Sequence, residues 1–166
     1  MKIYLKTILL LGILSFGLTA CEKDEPDIPN EEELITTVVL DLLDTTNFET
    51  ITFRFTDLDG DGGEDPIINV ANLKANTTYQ GTLRLLNESE TPSEAIHEEV
   101  EEEGLEHQVF YEAENNLVDV TYNDFDSENN PLGLDINLTT NSAGSEVLII
   151  TLRHEPDKDA AGVSNG

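Results

Sequence analysis

What most limits the fold of this chain is a series of short runs at 34–43, 48–56, 67–70, 78–86, 107–111, 117–122, 134–138 and 146–153. Each is rich in β-branched or aromatic residues, shows some alternation, and is bounded by Asn, Asp, Gly or Pro. Alternation with period two gives a strand one apolar face, so eight such runs separated by turn signals predict an all-β sandwich. One stretch breaks the pattern. Thr91 and Glu94 form a capping box around Pro92, Ile96 and Val100 share a face one turn apart, and Gly104 can close the end, so a helix is expected over 92–103. Its many glutamates read as a solvated face.

The N-terminus carries its own signals. Lys2 and Lys6 precede an apolar run at 8–18 that is too short to span a bilayer, the anatomy of an export signal. The following "LTAC" is similar to the lipobox of bacterial lipoproteins, a resemblance that implies lipidation of Cys21, with palmitate among the acyl chains. Next comes "CEKDE", in which Glu22, Lys23, Asp24 and Glu25 resemble the surface-export signal of Bacteroidota lipoproteins. The two resemblances imply an outer-membrane lipoprotein displayed at the cell surface, with a periplasm-facing placement as the alternative. Cys21 is the only cysteine, so no disulfide can form within the chain. The expected organisation is a signal peptide at 1–20, the lipidated Cys21 with an acidic tether over 21–33, a β-sandwich over 34–155 and a polar tail over 156–166.

Within the domain, "LKANTTYQGTLRL" places Leu73, Thr77 and Tyr79 at the offsets of a tyrosine corner. The stretch is similar to that of fibronectin type III and immunoglobulin-like Greek-key sandwiches, and implies that the Tyr79 hydroxyl bonds back to upstream backbone at a crossover. The expected fold is therefore an Ig/fibronectin-III-like Greek-key β-sandwich of seven or eight strands with one short inserted helix. As a whole the chain resembles uncharacterised Bacteroidota lipoproteins with Asp-rich loops, some labelled "type 1 periplasmic binding fold". It departs from that label, because it is too short for two α/β lobes and its pattern is strand after strand.

Charge narrows the choice of partners. The formal net charge is -27, and removal of residues 1–20, with two lysines and no acids, takes it to -29. Such a chain does not suit nucleic acid or an anionic surface, and it repels itself, which divalent cations relieve. A monomer is expected. There is no tryptophan and aromatics make up 6%, so an aromatic platform for stacking sugars has little to be built from.

Two acidic loops are the candidate sites. In "FTDLDGDGGEDP", Asp57, Asp59, Asp61 and Gly62 match the first ligand positions and the glycine of an EF-hand-like calcium loop. Ile68 then stands where a bidentate Glu belongs, and the loop follows a strand, so this is not an EF-hand; Glu64 or Asp65 can complete the ligand set. The second stretch, "VDVTYNDFDSENNP", repeats the design: Asp124, Asp126 and Glu128 continue the parity of Val118, Val120 and Tyr122, as Asp57 and Asp59 continue that of Ile51, Phe53 and Phe55. Oxygen-only ligands on flexible loops favour a structural Ca2+ with weak extracellular affinity, the competing reading being plain hairpin turns.

No nucleophile elbow, phosphate loop or zinc motif occurs, and His97, His107 and His154 read as surface or strand-end residues. "RHEP" at 153–156 reads as ordinary strand-edge chemistry, and "DTT" resembles the O-glycosylation site of Bacteroidota, with Thr45 as acceptor. The leading expectation is a non-enzymatic, surface-anchored binding or adhesion protein with calcium-holding loops, whose partner is an extracellular protein or glycan. The alternatives are a carbohydrate-capturing accessory lipoprotein and a hydrolase using Asp and Glu pairs of the acidic loops.

Overall fold

A computed structural model describes residues 34–60 and 63–160. The expected signal peptide, Cys21 and the whole tether, Asp61 with Gly62, and the end of the polar tail lie outside the described residues. The elements run β1 (Thr37–Asp44), β2 (Thr50–Thr56), β3 (Ile67–Asn69), β4 (Thr78–Leu86), α1 (Ile96–Glu102), β5 (His107–Ala113), β6 (Val118–Tyr122), β7 (Asp135–Thr140) and β8 (Leu148–His154). No helix among the described residues is long and apolar enough to cross a membrane.

All eight expected strands form, and every pairing is antiparallel. One sheet has the order β3-β2-β1-β4-β7-β6, and β5 with β8 makes the second. The arrangement β4-β1-β2-β3 within the larger sheet is a Greek key: three consecutive strands, and a fourth that returns beside the first. At that return the Lys74 N–H donates to the Tyr79 hydroxyl at 2.9 Å, and Tyr79 is fully buried. The tyrosine corner is thus present as its offsets imply.

Alternation sets the core. Leu40 pairs with Phe53 and Leu83, while Leu42 pairs with Ile51 and Gly81, so their side chains share the inner face. Ile136 and Leu138 of β7 continue that face, and Val109 and Tyr111 of β5 with Ile150 and Leu152 of β8 pack onto it from the second sheet. Ile96 and Val100, the narrow apolar stripe of α1, bury against the same cluster. On the outer face Val39 is also buried, because it lies in register between Arg54 and Arg84, whose aliphatic stems flank it. Arg84 donates to Asp41 at 2.7 Å and Arg54 pairs with Glu88, so two of the few cations knit the outer face of an acidic sheet.

The helix start differs from expectation. Asn87 and Glu94 pair through two backbone hydrogen bonds, each 3.0 Å, which holds Glu94 in an extended bridge. It therefore cannot serve a capping box; Ala95 is the N-cap and makes no side-chain cap bond, so Thr91 and Pro92 precede the helix. The C-cap is Glu103, whose N–H donates to the Glu99 carbonyl, in place of Gly104.

Candidate functional site

Strand direction decides where the acidic segments meet. In register, Thr37 at the start of β1 lies beside Thr56 and Leu86, the ends of β2 and β4, and Tyr122 at the end of β6 lies beside Ile136 near the start of β7. The β2–β3 loop, the α1 connection and the β6–β7 loop therefore project from one end of the sandwich, where the chain also enters β1. The end of β8 joins them, since His154 pairs with His107. The two acidic loops share this end but not one ion: four strand spacings separate β2 from β6, about 19 Å.

In the first loop Asp57 accepts the Gly60 N–H at 2.8 Å and Asp59 accepts the Glu64 N–H at 2.9 Å. The chain closes tightly on Asp59: a Cβ on Gly63 would stand 2.3 Å from the Asp59 carboxyl carbon. Asp65 is exposed. Beside this loop, β3 is exposed along its whole length, and Ile68, in register with the partly exposed Phe55, is 60% exposed. Ile67, Val70 and Leu58 add to this apolar edge.

The second loop has a different organisation. Both oxygens of Asp124 accept backbone N–H groups, from Gly133 at 2.9 Å and Leu134 at 2.8 Å. Asp126 accepts the N–H groups of Glu128 and Asn130, and its other oxygen meets the Lys158 ammonium at 2.9 Å. Lys158 also donates to the Gly104 carbonyl at 2.5 Å. The cation of this loop is a lysine from the expected polar tail, which folds back at least as far as residue 158. Burial raises the pKa of Asp126, but Lys158 and the two amides outweigh that and hold its carboxyl below the ordinary range. Glu128 points into solvent as an exposed residue and does not join the pair.

Between α1 and this loop lies a cleft of about 560 Å³, lined among others by His97, Glu101, Glu106, Asp124, Asp126 and Asp135. At its rim is a group that sequence spacing does not reveal. Among the described residues, the one set of three metal-ligating side chains whose donor atoms lie within 4.8 Å of one another is Glu106, His154 and Glu155. His154 Nε2 is 3.8 Å from a Glu106 carboxylate oxygen, and the ring stacks on His107 with centroids 4.9 Å apart. "RHEP" was the only local trace; Glu106 arrives through the β5–β8 register. Thr45, at the opposite end, is exposed and donates to the Thr78 carbonyl at 3.1 Å, while the neighbouring Asp44 is buried against Lys74.

No protein-family model, curated protein or solved structure matches this chain.

Proposed function

We propose that the chain is a lipid-anchored, surface-displayed lipoprotein with a binding or adhesion role and no catalytic one, in which Ca2+ held by the β2–β3 loop firms the binding end. The observation that carries this reading is the apolar edge Phe55–Ile68 lying directly beside the Asp57–Asp59 loop. An exposed apolar patch rimmed by carboxylates is the anatomy of a protein-binding surface. The loop fits an oxygen-preferring ion, because one oxygen of each aspartate is oriented by the loop's own N–H groups while the other is available for sharing. The non-catalytic part is supported by the second loop: an acid–base pair of carboxyls needs one with a raised pKa, and Asp126 is held low beside Lys158. The lipobox and export-like signal supply the anchor.

The test has two arms. Palmitate labelling of the full chain against Cys21→Ser, with protease shaving of whole cells, reads anchor and display. Binding to immobilised extracellular proteins and glycans, with and without Ca2+, is expected to fall in Ile68→Lys. Equal binding by native chain and Ile68→Lys would remove the β3 edge as the binding surface.

A further inference from the structure

We propose that Glu106, His154 and Glu155 form a site for a divalent transition metal of the zinc class, separate from the calcium loop. The set is not simply an acidic patch: it contains an imidazole nitrogen, a donor that suits zinc, nickel or copper and that calcium rarely takes. Three features of the fold bring the donors together. Pairing of β5 with β8 places His107 opposite His154, so Glu106 sits one residue from the strand end. The Glu155 N–H donates to the Glu106 carbonyl at 2.6 Å, which ties the two backbones. Consecutive residues of a strand point to opposite faces, yet Glu155 has φ 49°, and that left-handed turn swings its carboxylate to the side of His154.

The spacing suits a small ion. Donors at 2.0 to 2.2 Å from a tetrahedral centre lie roughly 3.4 Å apart. The 3.8 Å between His154 and Glu106, and the 4.8 Å bound on the whole set, close to that value by rotation of the two exposed glutamate side chains. The ring of His154 stacks on buried His107, with its Nε2 on the side of the Glu106 carboxylate. Three protein ligands leave a fourth position open, the arrangement of a site that binds an exogenous ligand instead of a closed structural one. A metal ion also relieves the repulsion between two adjacent glutamates in a chain of net charge -27.

The deciding experiment is calorimetric titration of the full chain with Zn2+ alone, and again in millimolar Ca2+ and Mg2+. One ion per chain is expected, with micromolar affinity retained in the presence of the alkaline-earth ions. His154→Ala and Glu106→Gln should each weaken it by roughly tenfold or more, while His97→Ala and Asp59→Ala leave it unchanged. Glu106, His154 and Asp59 are exposed and His97 is half-buried, and thermal midpoints confirm that the variants fold. Imidazole resonances of His154 should shift on adding Zn2+. Zinc uptake that survives in His154→Ala, or that Ca2+ displaces completely, overturns the proposal, since either marks diffuse binding by a polyanion. The calcium loop stands or falls separately, by the response of Asp59→Ala to Ca2+.

Discussion

The Lys158 ammonium lies 2.9 Å from the Asp126 carboxylate, and the two side chains are 6% and 0% exposed. This buried pair joins the segment after β8 to the β6–β7 loop. Removing one partner leaves the other buried and uncompensated. Asp126→Ala is expected to cost roughly 3 kcal/mol, the low end for buried pairs, because the pair sits in a loop. Asp126→Ala combined with Lys158→Met should recover much of the loss. A double variant no better than the single one, in urea denaturation, would show that the pair is not what holds the loop.

The tyrosine corner gives a second prediction. Tyr79→Phe keeps the ring packed but strips the acceptor from the Lys74 N–H. A loss of about 1–2 kcal/mol is expected, the range for leaving a buried donor without its partner. An unchanged urea midpoint would mean that water replaces the hydroxyl.

Gly133 is where the backbone has no room for a side chain. Its φ is +98°, and an added Cβ would stand 2.7 Å from the Val109 carbonyl oxygen. Its own carbonyl accepts the Tyr111 hydroxyl at 2.7 Å, so the loop cannot move away freely. Gly133→Ala should cost about 2–3 kcal/mol by thermal denaturation; a native-like midpoint would show that β5 and the loop can separate.

Acid should unfold the domain through its paired carboxylates. Asp126 is held low as described, and Asp44 is held low first by the hydrogen bond from Lys74 and then by the Thr46 N–H. A folded pKa below the unfolded value, near 3.9, gives stability that is present above that pH and lost as pH falls through the folded pKa. The melting temperature is therefore expected to hold from neutral pH to about 4 and then decline. In Asp126→Asn the midpoint at neutral pH should be lower and the acid decline shallower. An identical decline in that variant would assign acid sensitivity to other groups.

Calcium should raise the melting temperature of the native protein in chelator-treated buffer, and magnesium should not match it. With a site in the weak extracellular range, ten millimolar Ca2+ stabilises by roughly 1–3 kcal/mol, a shift of several degrees. Asp59→Ala should abolish the response. A midpoint that tracks only ionic strength reduces the β2–β3 loop to a turn.

Strand identity was legible because it is local. Alternation and turn residues act within a few positions of each other, so the run at 78–86 coincides with β4, and the tyrosine corner, a contact of five residues' span, is readable from its offsets. The helix start was misread for the opposite reason: Glu94 is claimed by a bridge to Asn87, a pairing that competes with the capping box and leaves no mark in the box itself. Charge patterning showed that Asp57, Asp59, Asp124 and Asp126 follow their strands, but not what meets them. The strand order sets the loops about 19 Å apart, and a lysine 32 residues beyond Asp126 arrives only when β8 has paired with β5. Glu106, His154 and Glu155 converge by the same register. Periodicity along the chain therefore settled which segments became strands and which faces went inside, because burial rewards each residue by its own parity. Which charged groups stand together was decided by strand pairing between distant segments, and spacing within one segment carries no record of that.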